Sequence, residues 1–196
     1  EAGWRMMPQF VITGCVSLLY GRLSAAIGVR VLLVAGYGLT ALSMSAMVLF
    51  DAHTPYWFVG TLFTLLGLGA GLAVPSTSMA VMAGAPKGQA GAASATMNAL
   101  RQMGMTIGVA FLGALLSTEA ASRLASMAHD QGLTVPPDVA RHVISQGVAS
   151  SSSLALSALY VPAMVHGFHV AMILCGLVSA IAMILLVRYR SEKGAA

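Results

Sequence analysis

The side chains that could bind a solute lie on one face of a single apolar segment, residues 92–116. Hydroxyl, amide, guanidinium and thioether groups recur there at spacings of 4, 3, 4 and 3, which is typical of one side of an α-helix. They are Ser94, Asn98, Arg101 and Met105, followed by Gly108, with Gln102 beside this face. Lipid does not tolerate such polar content, so these residues should face protein or a water-filled cavity. The pattern predicts a substrate cavity or a gate.

Arg101 is the charged residue within this segment. It lies about nine residues from the segment's start, or roughly 14 Å along a helix. A charge at that depth costs at least ~2.5 kcal/mol, so something must compensate for it. Two interpretations stay open. Arg101 either extends to the cytoplasmic interface or pairs with helix-end carbonyls as an anchor, or it lines a substrate or gating cavity.

Two small-residue motifs predict close helix contacts. Gly67-x-x-x-Gly71 and Gly104-x-x-x-Gly108 would let helix backbones approach each other, and in a moving protein the same faces could slide. Pro75 removes one backbone hydrogen bond and predicts a kink that could serve as a hinge.

His166 and His169 are one helical turn apart and could supply half of a metal site. Because no Cys, Asp or Glu ligand is close in sequence, we expect interface hydrogen bonding, with no metal and no cofactor. No predicted span contains Asp or Glu, so the groups of any proton relay should lie elsewhere, unless these histidines act. No nucleophile–base pair or phosphate-binding loop is visible, and we expect no enzymatic activity.

Composition places these residues in a membrane protein. Hydrophobic residues make up 58% of the 196-residue chain and charged residues 8%, with a mean hydropathy of +0.84. Soluble domains carry about 25% charged residues. The net charge of +4 is scattered at span ends, which argues against a nucleic-acid partner. We therefore predict an all-α, polytopic helical bundle with about five transmembrane helices, in which Cys15 and Cys175 are small hydrophobic residues.

Apolar runs predict where these helices lie. The expected spans are residues 8–20, 31–50, 56–82, 92–116 and 163–187. They divide the chain into residues 1–116 with four transmembrane helices, an extracytoplasmic loop at 117–162, and residues 163–196 with the last helix and a tail. Residues 21–30 and 83–91 should be turns. Amphipathic helical pieces are expected on both sides of Pro136-Pro137 in the long loop.

The basic residues predict the orientation. One side of the membrane would hold most of them: Arg22, Arg30, Lys87, Arg188, Arg190 and Lys193. Because basic residues favour the cytoplasmic side, the N-terminus should lie outside and the C-terminal tail in the cytoplasm.

Three stretches carry a resemblance to a known family. GRLSAAIGVR (21–30), GLGAGLAVPS (67–76) and GQAGAASATMNALRQMGMTIGVAFLG (88–113) resemble the C-terminal part of a major facilitator superfamily transporter, more narrowly the fourteen-span drug:proton antiporters of the EmrB/QacA type. The first is similar to the family's cytoplasmic loop motif at Gly21, Leu23, Gly28 and Arg30, although Ala25 and Ala26 replace its charged pair. The third matches at Gly88, Ser94, Asn98, Arg101, Gln102, Gly104 and Gly108.

The resemblance implies the last five helices of a multidrug efflux antiporter of the cell inner membrane, a drug-resistance protein. Its N-terminal half, which carries the antiporter motif, would be a partner outside this sequence, and the start at Glu1 agrees with a fragment. Alternating access would exchange a small organic substrate for protons. Membrane lipid surrounds the helices, and some members use a periplasmic adaptor. The alternatives are a dedicated exporter of one metabolite or antibiotic, or a non-transporting membrane assembly subunit.

Overall fold

Helices account for most of the protein. The computed structural model describes residues 2–51, 53–147 and 154–193, and it has no β-strand within these ranges. The helices are α1 (Ala2–Ile27), α2 (Val29–Ala46), α3 (Tyr56–Gly84), α4 (Ala90–Asp130), α5 (Pro137–Gln146) and α6 (Leu154–Lys193), with a short 3-10 turn at Met47–Leu49. The predicted all-α class is confirmed.

Within the described ranges, five segments are long and apolar enough to cross a membrane. They are Met6–Ile27, Val29–Leu49, Tyr56–Gly84, Ala90–Asp130 and Ser157–Arg188, with mean hydropathies from 1.4 to 2.9. The predicted number of spans is therefore confirmed, and the chain is a multi-pass membrane protein.

Helical structure extends into the predicted loop at 117–162 from both ends. Helix α4 has 41 residues, about 60 Å at 1.5 Å per residue, which is about twice a bilayer's hydrocarbon core. Helix α6 begins at Leu154, ahead of the predicted boundary at 163. Hydropathy marks the apolar part of a helix and not the place where its hydrogen bonds end. The extracytoplasmic position of the loop stays a prediction, and the serine run at 150–153 lies outside the described residues.

The turn predicted at residues 21–30 is wrong in extent. Helix α1 continues through Ile27, and Gly28 alone separates it from α2. Gly28 has a φ of 90°, a backbone conformation that residues other than glycine rarely adopt. Of the predicted loop motif, Gly21 and Leu23 thus lie in α1, and Arg30 lies in the first turn of α2.

The chain forms two compact units, which we describe separately. The first comprises residues 1–47, 55–104 and 175–196, and the second comprises 48–54 and 105–174. Both α4 and α6 contribute one end to each unit.

In the first unit, α3 packs against α1 through glycines that leave no room for a side chain. A Cβ atom at Gly67 would collide with the carbonyl oxygen of Gln9, and one at Gly71 would lie 2.9 Å from Cβ of Val16. The hydroxyl of Thr13 lies 3.0 Å from the carbonyl oxygen of Gly67. The two backbones are therefore in direct contact along this line.

Helix α2 packs against another side of α3 in the same way. A Cβ at Gly36 would lie 2.6 Å from the backbone nitrogen of Ala73, and one at Gly69 would lie 2.7 Å from Oγ1 of Thr40. Ser43 is fully buried between them, and its hydroxyl donates to the carbonyl oxygen of Leu62 at 2.7 Å. Helix α3 is consequently packed closely against α1 on one side and α2 on another.

The second unit has its own core. Leu124 is its largest fully buried side chain, surrounded by small and apolar residues of α4, α5 and α6. These are Ala120, Ala121, Ala128, Ala140, Val143, Ile144, Leu159 and Ala163. Helix α5 begins at Pro137, directly after Pro136, because proline suits the first turn of a helix, where its missing N–H has no partner to lose. Helical structure thus lies on both sides of the proline pair, as the sequence predicts.

The glycine contacts lead to a stability prediction. Gly36→Ala and Gly67→Ala each place a methyl group against backbone atoms that cannot move aside easily, so each should destabilise the protein by about 1–3 kcal/mol. Thermal unfolding in detergent should show a lower Tm for both variants. Gly14→Ala is the matched control, since a Cβ there has no neighbour within 4 Å. A normal Tm for both interface variants would contradict this packing.

Candidate functional site

An open cleft lies at the end of the first unit where residues 85–89 connect α3 to α4. Its volume is about 700 Å³, within the range of small-molecule sites. Polar and apolar side chains share its wall. The polar ones are Tyr37, Thr77, Gln89, Thr96 and Arg101, and the others are Val81, Pro86, Ala92, Ala93, Met97 and Leu100. This mixture suits an amphiphilic organic molecule.

The connection and the small residues after it help to form the cleft. Gly88 takes a φ of 84° in the turn that leads into α4. The next residues on the cleft side of α4 are Ala92 and Ala93, whose short side chains leave space beside α3. Thr96, Met97 and Leu100 follow on the same side at helical spacing. The cleft is therefore lined by short side chains where α4 begins and by larger ones farther along.

Arg101 is held by a hydrogen bond to α3. Its Nη2 donates to the hydroxyl oxygen of Ser78 at 3.3 Å, and that hydroxyl donates in turn to the carbonyl oxygen of Val74 at 3.1 Å. The guanidinium group is still exposed and has five N–H donors. No acidic residue is found among the described residues that line the cleft. Arg101 can therefore donate hydrogen bonds to a bound molecule.

A second polar pair crosses from α2 to α3. The hydroxyl oxygens of Tyr37 and Thr77 are 3.4 Å apart. Because the Thr77 hydroxyl donates to the carbonyl oxygen of Ala73 at 2.8 Å, Tyr37 is the donor between them. The Tyr37 oxygen then keeps its lone pairs as hydrogen-bond acceptors beside the cleft.

Arg101 is the member of the predicted polar face that the structure brings into the cleft. Asn98, Gln102 and Met105 are exposed and Ser94 is half-buried, but none of these four lines it. The cleft side of α4 is displaced by one residue, about 100° around the helix. Which side faces α2 and α3 depends on tertiary packing, which periodicity does not reveal.

The residues that the sequence reasoning missed had weaker signals. Tyr37 is a hydroxylated aromatic residue in the middle of an apolar span, and Thr77 and Ser78 are hydroxyl residues just after Pro75. Thr96 and Met97 carried no signal that separates them from their neighbours. Hydroxyls within spans are common because they can bond their own helix, and Thr77 and Ser78 do so here.

Pro75 and the two glycine motifs were predicted to act in hinge formation or helix packing. Helix α3 continues through Pro75, and its kink stays a prediction. In contrast to Gly67 and Gly71, a Cβ at Gly104 or Gly108 would meet no described atom within 4 Å.

The two histidines have different surroundings. Nε2 of His169 donates to the carbonyl oxygen of Phe50 at 2.6 Å, and the rings of Phe50 and Phe168 stack at 6.1 Å. His166 is exposed. The described residues contain no group of three or more His, Cys, Asp or Glu side chains placed to hold a metal ion.

Comparison with known proteins identifies the family. The family model described as Major Facilitator Superfamily matches residues 1–126. The chain belongs to the major facilitator superfamily. This confirms the resemblance in the sequence, and it indicates at the family level a transporter, not an enzyme. Members of the superfamily bind small substrates and lie in lipid.

Similar superfamily proteins bear the names of resistance proteins. SmvA of Salmonella typhimurium, a methyl viologen resistance protein, is 35% identical over 60% of this chain and 24% of its own length. The methylenomycin A resistance protein of Streptomyces coelicolor is 31% identical over 59% of the chain and 24% of its own length. The multidrug resistance protein Stp of Mycobacterium tuberculosis is 32% identical over 77% of the chain and 27% of its own length. The chain thus spans about a quarter of these relatives.

The cleft should be accessible to water. In a background with Cys15 and Cys175 replaced by alanine, Thr96→Cys should react with a charged maleimide at least several-fold faster than Val109→Cys. Thr96 lines the cleft, whereas Val109 is a 75% exposed apolar residue of the same helix, suited to face lipid. Labelling rates in native membranes provide the measurement. Equal rates would mean that the cleft is not the hydrated surface of α4.

Proposed function

We propose that this chain is part of a proton-coupled efflux transporter that exports drugs or toxic organic compounds across the cytoplasmic membrane. The observation that carries the proposal is the mixed polar and apolar cleft of about 700 Å³ in a superfamily chain. The names of the relatives support it, since they describe resistance to methyl viologen, to methylenomycin A and to multiple drugs.

The chemistry of the cleft supports broad recognition of organic molecules. Val81, Met97 and Leu100 supply apolar surface, and methionine adapts its shape to different ligands. Arg101 and Tyr37 supply a donor and an acceptor that can orient a polar group. Since the cleft contains a cation and its described lining residues include no acid, this wall favours neutral or anionic groups. Recognition of a cationic drug would need an acidic residue from another part of the transporter.

The proposed mechanism is alternating access between two helical halves. This chain would form one wall of the central cavity, and the other half would supply the facing wall. No predicted span in this sequence contains Asp or Glu. We therefore assign the main proton-carrying groups to the other half.

The distribution of basic residues supports an orientation in the inner membrane. Arg22, Arg30 and Lys87 precede or follow spans on one side, together with the basic C-terminal tail. This side would be cytoplasmic, with the first residues of the chain outside. A periplasmic adaptor would then approach from the side of α5. The cleft, which includes Pro86 and Gln89 of the connection, would open toward the cytoplasm.

Export of one metabolite or antibiotic is a second candidate on the same fold. The methylenomycin A resistance protein among the relatives favours it, because its name refers to a single antibiotic. A non-transporting assembly subunit would instead use the Gly104 and Gly108 face of α4 for a partner. Transport assays separate these functions: several dyes, one compound, or none would be moved.

The role of Arg101 can be tested in the complete transporter. Arg101→Ala should reduce proton-driven dye uptake into inverted vesicles at least 10-fold, because the cleft loses its cation. Arg101→Lys should retain part of the activity, since lysine keeps the charge but lacks the planar donor pattern. Arg22→Ala is the control, because Arg22 is exposed and does not line the cleft. Normal transport by both Arg101 variants, at normal protein levels, would refute its assignment to a cavity or gate.

A matched pair of methionines tests which side of α4 meets the substrate. Met97 lines the cleft, whereas Met103 is 59% exposed and does not. Met97→Trp should raise the KM for dye several-fold by filling the cleft, and Met103→Trp should leave it within about two-fold. The initial rate of dye uptake at a series of concentrations provides the measurement. The reverse order would place the substrate on the other side of α4.

A further inference from the structure

A second cleft lies between the start of α2 and the end of α6, within the first unit. Its volume is about 330 Å³, and it is lined by Arg30 and by apolar side chains that include Val31, Val34, Leu186 and Val187. It shares no residue with the larger cleft. It is therefore a different site from the larger cleft.

The packing of α2 and α6 explains where this cleft forms. Farther along the pair, a Cβ at Gly176 would lie 2.6 Å from Oγ of Ser45, and one at Gly38 would lie 3.1 Å from Sδ of Met183. These contacts show that the two helices run antiparallel and touch closely. Near Arg30 the lining side chains are larger, and a gap remains between the helices.

The ends of the apolar segments give the depth of the cleft. The apolar run of α2 begins directly after Arg30, and that of α6 ends directly before Arg188, so this end of the pair suits the membrane surface. Arg30 and Arg188 are exposed there, and Arg188 directly follows the lining residue Val187. The gap thus has apolar walls on the membrane side and two cations at the level of the lipid headgroups.

We propose that this cleft binds an anionic phospholipid. One acyl chain lies against Val31, Val34 and Leu186, and the phosphate accepts hydrogen bonds from the guanidinium group of Arg30. Arg188 adds positive charge at the same level. Charge complementarity selects this occupant, because arginine binds phosphate through paired N–H donors and basic pockets between spans favour anionic headgroups. The described lining residues include no acid that would oppose it.

Lipid binding to the purified protein tests the proposal. Native mass spectrometry with phosphatidylglycerol and with phosphatidylethanolamine of the same acyl chains gives the affinity for each. The wild type should bind phosphatidylglycerol at least five-fold more tightly. Arg30→Gln should remove this preference, whereas Arg30→Lys should keep part of it. Val34→Trp should weaken binding of both lipids several-fold by filling the apolar part of the cleft.

Two matched controls separate this site from general surface effects. Arg22→Gln removes an exposed cation outside the cleft, and Leu42→Trp adds bulk at a 60% exposed position of the same helix α2. Neither should change the preference. Equal binding of the two lipids by wild type would overturn the proposal. So would an Arg22→Gln effect as large as that of Arg30→Gln, because the attraction would then come from diffuse surface charge. Thermal unfolding of each variant shows whether it is folded.

Discussion

Direct backbone contact between α3 and its two neighbours is the constraint on which the first unit depends. In lipid, apolar side chains gain little by leaving one apolar environment for another, so helices associate through close van der Waals packing. Gly67 and Gly71 provide this toward α1, and Gly36 and Gly69 provide it between α2 and α3. Once α3 is fixed in this way, Thr77 and Ser78 have defined positions, and the larger cleft has a rigid wall.

The two clefts arise from the same arrangement in different ways. Along α2, glycine and serine residues allow α3 and α6 to approach the backbone, and the structure is tight there. The larger cleft lies where Tyr37 of α2 and residues of α4 form its wall. The smaller one lies where Val31 and Val34 of α2 face the end of α6. The positions of small residues therefore determine where the helices of the first unit pack closely and where clefts remain between them.

Sequence alone predicted the number of spans, since each is a long apolar run. It also singled out Arg101, because a charge within such a run needs a partner, and its role in a cavity or gate stays a prediction. It failed on the extent of α1, and it did not single out Tyr37, Thr77 or Thr96, which line the cleft. Residues 21–27 are polar enough to suggest a turn, but α1 keeps its backbone hydrogen bonds as far as Ile27. The cleft depends on the rotation of α4 about its own axis, which is decided by contacts distant in sequence.

The hydroxyl of Ser78 constrains how Arg101 could bind a solute. It accepts from Arg101 and donates to Val74, so the guanidinium group is tied to the backbone of α3. The guanidinium group has further N–H donors beside the one that Ser78 accepts. A solute that accepts only from those donors would leave α4 tied to α3, whereas one that displaces Ser78 from Nη2 would release that tie. The point at which a solute binds this guanidinium group therefore decides whether the two helices stay linked.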